Sequence, residues 1–299
     1  MKVSSILLDF GSRDKIHLKR MGEASSKSPV ICFHGAFSSG RVFYSKDGHK
    51  GFAPNLAKTG YEVFIPDNRG HGLSTPQVNE ATEYGMHEYI IEDFPFIFEN
   101  VKRITSKERF HVVAHSDGGL LLLSFLARFP DWCEKISSIT LLGTKRSIQV
   151  RSIKKFFAID LVWYLLCPLV VKSAGYLPAV KFKIGSDNDT KNFTLQRMEW
   201  LKGNSWVDPI DEFDYQAAWN NGVKPPILAY AAINDPYHGN REDVRKFLEE
   251  LGYSGNNLKI LGRSSGYGAD YDHISMLTHR AAMKDHFPEI FEWIKNNSN

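Results

Sequence analysis

Cysteine is nearly absent from this sequence. The 299 residues include three, Cys32, Cys133 and Cys167, odd in number and far apart. That excludes a disulfide framework as the basis of the fold, and the spacing matches no zinc knuckle. The three thiols read as small buried hydrophobes in a reducing compartment. Charge of one sign is also lacking: 37 Lys and Arg stand against 34 Asp and Glu, a balance of +3. Such a balance argues against a nucleic-acid binder and leaves room for only a weak attraction to anionic membranes. Long hydrophobic runs are missing. The longest, Phe156–Val171, is broken by Asp160 and Pro168, and it falls short of the ~20 residues a spanning helix needs. Met1–Phe10 holds a short apolar run broken by Asp9, without the apolar centre or cleavage site of a signal peptide. A soluble, cytoplasmic protein is the expectation.

Alternation is what the chain has in quantity. Strands are expected at Val3–Asp9 and Lys15–Met21, joined through Gly11–Ser12, and at Val30–Phe33. A helix over Phe52–Thr59, closed by Gly60, precedes a strand at Tyr61–Ile65. Helical spacing over His87–Ile104 is followed by a strand at Phe110–Ala114, a helix at Leu120–Ala127 and a strand at Ile136–Leu142. Strands and helices in turn mean a mostly parallel sheet flanked by helices, an α/β fold. From Lys145 to about Asn221 the alternation stops, in a stretch holding four of the six Trp. It resumes with strand Ile227–Ala232, helix Arg241–Leu251, strand Leu258–Leu261 and a last helix near Pro288–Lys295. Residues 1–144 and 222–299 therefore read as two parts of one core, and 145–221 as a helical lid inserted between them.

The strongest local signal is His111-Val112-Val113-Ala114-His115-Ser116-Asp117-Gly118-Gly119. A buried strand ends there and a helix begins. A nucleophile elbow needs so sharp a turn that the residues two before and two after the serine must be small. Here those are Ala114 and Gly118. Ser116 is the candidate nucleophile, at a helix N-terminus that favours developing negative charge.

An acyl-transfer site also needs two backbone donors aimed at an oxyanion. The N–H of Asp117 is one candidate. The other is Ala36, after the strand-ending pair His34-Gly35, with Phe37 as a weaker choice. The loop Asp67-Asn68-Arg69-Gly70-His71-Gly72-Leu73-Ser74 reads as structural, with Arg69 tying loops together. The acid is expected after a late strand, where Ile233-Asn234-Asp235-Pro236 offers Asp235, whereas Gly143-Thr144-Lys145 offers no carboxylate. The base follows the last strand, in a Gly- and Ser-rich loop ending at His273. His279 and His286 read as surface residues. Asp270 and Asp272 flank the base but are poorly placed to face it.

Taken together, His34-Gly35-Ala36, Asp67–Ser74, His115–Gly119, Asp235 and His273 resemble the α/β-hydrolase superfamily. The likeness covers nearly the whole chain outside 145–221. It is nearest to uncharacterised bacterial lipase/esterase-like predicted hydrolases, and the stretch Gly175-Tyr176-Leu177-Pro178 to Trp200 is similar to lids of that group. Ala114 replaces the usual Gly. Members with an Asp nucleophile are disfavoured because Ser occupies that position.

The resemblance implies a serine hydrolase cleaving carboxylic esters through Ser116, Asp235 and His273, with no cofactor and no metal. The apolar stretch from Phe156 to Leu166, preceded by Arg151, Lys154 and Lys155, points to a greasy acyl group. Either it packs over the pocket as an ordinary lid or it makes peripheral membrane contact. The expected partner is a small-molecule ester, lipid included. Acyl transfer to another acceptor, thioester or amide hydrolysis, and a non-catalytic binding protein are the alternatives. Oligomeric state is not readable from the sequence.

Overall fold

Val30–Phe33, Phe110–His115 and Ile136–Leu142 are apolar on both faces, as strands covered by helices on either side must be. All three are buried along their whole length. In the computed structural model, which describes residues 1–11, 14–151 and 156–298, they form the middle of an eight-stranded sheet.

The strands are β1 (Val3–Phe10), β2 (Asp14–Met21), β3 (Val30–Phe33), β4 (Val63–Pro66), β5 (Phe110–His115) and β6 (Ile136–Leu142). After a two-stranded ribbon, β7 (Tyr176–Leu177) and β8 (Asp189–Thr190), come β9 (Ile227–Ala232) and β10 (Leu258–Leu261). The main sheet runs in the order β1-β2-β4-β3-β5-β6-β9-β10. From β4 to β10 neighbours pair in parallel, while β1 and β2 form an antiparallel edge. Ser12, in the connection between β1 and β2, lies outside the described residues, as do Lys154 and Lys155 ahead of the apolar stretch.

The strand order turns back at β3: β4 lies on one side of it and β5 on the other. Loops leaving β3 and β5 diverge at that point and open a crevice at the C-terminal end of the sheet, where ligands bind in open α/β folds.

Helices cover both faces. They include α1 (Phe52–Lys58), α2 (Phe94–Thr105) and α3 (Asp117–Arg128). One apolar cluster joins Phe33, Phe94, Phe98, Phe125 and Trp132; another joins Phe43, Phe52, Tyr230 and Phe287 on the opposite face. The helical stretch read at His87–Ile104 is not uniform. A short α-turn, Met86–Glu88, passes through a wide π-turn at Tyr89–Asp93 before α2 begins. Pro95 has no N–H for an α-helical bond and accounts for a break there. Helix α3 starts three residues earlier than its apolar spacing indicates, directly after Ser116.

Between β6 and β9 the chain adds the helical stretch Phe156–Leu166, then α4 (Cys167–Ala174), the β7–β8 ribbon, α5 (Lys191–Leu201) and α6 (Tyr215–Asn221). Its two halves pack differently. Ile159, Trp163, Val171 and Leu177 form a small cluster of their own with Met198 and Leu201. Trp200, Trp206 and Trp219 instead join the main core. The longer helices after β9 are α7 (Arg241–Glu250) and α8 (His286–Asn296). Cys32, Cys133 and Cys167 are buried and unpaired. Among the described residues no helix is long and apolar enough to cross a membrane.

Phe98 is fully buried, with ring centroids 5.2 Å from Phe125 and 5.2 Å from Trp132. Phe98→Ala is expected to lower the unfolding free energy by about 3–5 kcal/mol in urea denaturation. Leu169→Ala, at an exposed position of α4, is expected to change it by less than about 0.5 kcal/mol.

Candidate active site

Strand β5 ends at His115 and α3 begins at Asp117, so a single residue makes the whole turn. That residue, Ser116, has φ 53° and ψ −126°, a conformation L side chains rarely adopt. Neighbours hold it there: Ser116 N–H donates to Leu142 O at 2.8 Å, and Thr144 Oγ1 donates to Ser116 O at 3.0 Å. Two glycines make room. A Cβ on Gly118 would strike the carbonyl oxygens of Phe33 and His34, and a Cβ on Gly35 would strike Ser116 Cβ. Loops after β3 and β5 can approach this closely only because both positions lack a side chain.

The structure brings Ser116, His273 and Asp235 together. Ser116 Oγ is 2.9 Å from His273 Nε2, and His273 Nδ1 is 2.6 Å from Asp235 Oδ2. With Nδ1–H donating to the carboxylate, Nε2 is free to accept the serine proton. Asp235 lies three residues past β9 and is buried. Its Oδ1 accepts from His238 N–H at 2.8 Å, which fixes the carboxylate before His273 reaches it. Burial pushes this carboxyl up, but the hydrogen bond and charge of His273 outweigh burial and hold it well below the usual range.

Ala36 and Asp117 both line the cavity beside Ser116. The N–H of Phe37 is taken, donating to Asp189 Oδ2 at 3.3 Å. The loop is braced by His34, whose Nδ1–H donates to Gly35 O at 2.8 Å and whose Nε2 accepts from Asn68 N–H at 3.0 Å. Burial, then the charge of His71, lowers the pKa of His34 and keeps it neutral. Arg69 bonds Glu92 and Asp93, so it ties the Asp67–Ser74 loop to the turn before α2. His71 donates to Asp189 Oδ1 at 2.7 Å, away from the serine.

Sequence reasoning assigned no role to four residues around this chain of bonds. His115 Nε2–H donates to His273 O at 2.9 Å and steadies that residue. Burial and the charge of His273 push His115 down to about 3. His238 is also held at about 3, by burial, then His273 and Lys145. Lys145 and Arg197 are buried beside Asp117 and act on its carboxylate. Only His115 carried a local signal, its place next to the serine. The other three depend on contacts distant in sequence.

His279 is exposed, as expected, but His286 is not. Its ring is fully buried among Tyr271, Tyr230 and Phe287, and its Nε2–H donates to Met276 O at 2.7 Å. It pins the chain just after His273. Asp270 and Asp272 cap their own loop through Arg263 N–H and Ser275 N–H and do not bond the imidazole of His273.

The cavity over Ser116 measures about 530 Å³, with Phe37, Val42, Ile184 and Ile274 among its walls. Among the described residues, His87, Asp208 and Asp211 have the spacing of metal ligands. Arg128 pairs with both carboxylates and already supplies the positive charge there.

The family model described as alpha/beta hydrolase fold matches residues 28–182, a stretch that includes Gly35 and Ser116 but precedes Asp235 and His273. The chain is 26% identical to Lipase 3 of Drosophila melanogaster over 298 residues, covering 78% of this chain and 74% of that protein. It is 27% identical to the tear acid lipase-like protein of Mesocricetus auratus over 129 residues, 41% of this chain and only 32% of that one. The chain thus spans about a third of that relative. Among solved structures, an esterase from Exiguobacterium antarcticum superposes with a TM-score of 0.63 at 16% identity, covering 98% of this chain and 100% of that one.

Buried neutral imidazoles make the fold acid-sensitive. Burial holds His286 down to about 4. Its folded pKa lies below the unfolded value of about 6.5, so acid protonates the unfolded chain first and stability falls as pH drops through that window. Urea denaturation at pH 7, 6 and 5 is expected to show decreasing unfolding free energy. His286→Gln, which keeps a donor for Met276 O, is expected to flatten the slope by at most about 1.4 kcal/mol per pH unit below pH 6.

Proposed function

The chain belongs to the alpha/beta hydrolase fold family, and from that premise we propose that it is a serine hydrolase of carboxylic esters with an apolar or lipid-like acyl group. The observation that carries this reading is the unbroken hydrogen-bond chain from Asp235 through His273 to Ser116.

The hydroxyl of Ser116 attacks the ester carbonyl carbon while His273 Nε2 takes its proton. Negative charge moves onto the carbonyl oxygen, which the N–H groups of Ala36 and Asp117 receive. His273 then gives its proton to the departing alcohol, leaving an acyl group on Ser116. Water enters, loses a proton to Nε2, and attacks the acyl carbon. Collapse of that second intermediate returns the proton to Ser116 and frees the acid. Throughout, Asp235 holds the Nδ1–H tautomer and stabilises the imidazolium.

Apolar cavity walls and the exposed Phe156, Phe157, Val162, Leu165 and Leu166 support the greasy acyl group. On this reading residues 145–221 act in part as a lid, and the exposed face of Phe156–Leu166 meets the lipid phase that presents the substrate.

Ser116→Ala is expected to lower kcat on p-nitrophenyl butyrate by roughly a thousandfold or more, and to abolish labelling by a fluorophosphonate probe. Turnover within a few-fold of wild type would overturn the assignment of the nucleophile. In a panel of acyl lengths, octanoyl esters are expected to exceed acetyl esters in kcat/KM by about tenfold or more, since each buried methylene adds roughly 0.8 kcal/mol. Strict preference for acetyl esters would contradict the apolar acyl reading.

A further inference from the structure

Asp117 brings a carboxylate to the site along with its backbone N–H. That carboxylate is buried, and its Oδ2 lies 3.4 Å from Ser116 Oγ. The same residue supplies one of the two donors proposed for the oxyanion. A bare negative charge there opposes the second negative charge that forms on the carbonyl oxygen, and the burial of Asp117 leaves the two poorly screened. An uncompensated Asp at this position is therefore a poor choice for an acyl-transfer site.

It is compensated from the inserted segment. Arg197, on α5, donates through Nε to Asp117 Oδ1 at 2.7 Å. Its guanidinium lies 5.3 Å from the ring centroids of both Phe37 and Trp163, and it forms part of the cavity wall. Lys145, buried just after β6 and with its pKa lowered by that burial, acts electrostatically on the same carboxylate. Helix α5 is fixed in place without Arg197. Thr190 Oγ1 caps it by accepting Phe193 N–H at 3.0 Å, Gln196 Oε1 accepts Met86 N–H at 2.6 Å, and His71 holds Asp189 just ahead of it. The guanidinium is thus available for an electrostatic task.

We propose that Arg197 is a positioning residue for the reaction: by pairing with Asp117 it neutralises the carboxylate beside the oxyanion and fixes the turn that presents the Asp117 N–H. The inserted segment then completes the site electrostatically, in addition to covering it. This inference rests on the serine-hydrolase reading given above. It also makes a specific demand, that the harm of losing Arg197 comes from the charge of Asp117.

The test is a set of variants assayed with p-nitrophenyl butyrate, with thermal melts confirming the fold. Arg197→Met is expected to lower kcat tenfold or more with KM changed less than threefold, because the lost interaction acts on the transition state. Arg197→Lys, which keeps the charge, is expected to retain most of the turnover. Adding Asp117→Asn to Arg197→Met removes the orphaned charge and is expected to recover at least half of the lost factor on a logarithmic scale. A merely structural arginine gives no such rescue. If Arg197→Met fails to fold, Arg197→Gln takes its place in both the single and the double variant. Ser116→Ala runs alongside: if it stays active, the hydrolase reading fails. If Ser116→Ala is dead while Arg197→Met matches wild type, or the double variant is as slow as the single, this inference alone is overturned.

Discussion

The backbone at Ser116 bends within one residue from strand to helix, at a positive φ that few serines adopt. Such a conformation costs about 1–3 kcal/mol and persists only where the surroundings over-determine it. Here they do. The strand before the bend is fully buried, the helix after it is buried through almost its whole length, and both backbone groups of Ser116 are bonded toward the end of β6. The strained turn is therefore held by the core itself. Its consequence is that the serine hydroxyl projects from the C-terminal edge of the sheet, where loops from β3, β9 and β10 also end.

Once the hydroxyl is there, electrostatics decides what the site can do. Beside His273 stand two imidazoles kept neutral by burial, His115 and His238, so no second imidazolium lies next to it. Asp235 is stabilised as a carboxylate by His273 and by the backbone N–H of His238. On the other side of the serine Arg197 pairs with the buried Asp117, and Lys145, whose pKa burial lowers, acts on the same carboxylate. Charges taken out of water must be paired to be tolerated. That pairing links the inserted segment to the turn at Ser116.

Much of this could be read from the sequence because it is written locally. Small residues on either side of a serine, between an apolar strand and a helix, can be seen in nine consecutive residues. Asp235 stands out as the carboxylate just past one late strand, and His273 as the histidine that ends the Gly- and Ser-rich loop after the last strand. What could not be read depends on contacts far apart in the chain. Arg197 meets Asp117 across 80 positions, and nothing in the composition near either residue signals the pair. His286 looks like a surface residue beside a C-terminal helix, yet an aromatic pocket encloses it. Trp200, Trp206 and Trp219 sit in a stretch with no strand–helix rhythm, and only packing reveals that they belong to the main core. The break before α2 was foreshadowed by Pro95, which an unbroken helical reading of His87–Ile104 passed over.

The most direct measurement is a crystal structure of the protein after reaction with a fluorophosphonate. A covalent bond from phosphorus to Ser116 Oγ is expected, with the phosphoryl oxygen within hydrogen-bond reach of the Ala36 and Asp117 N–H groups and the His273 imidazole still bonded to Asp235. A phosphonate attached to any other residue, or a phosphoryl oxygen facing away from both N–H groups, would contradict the proposed chemistry.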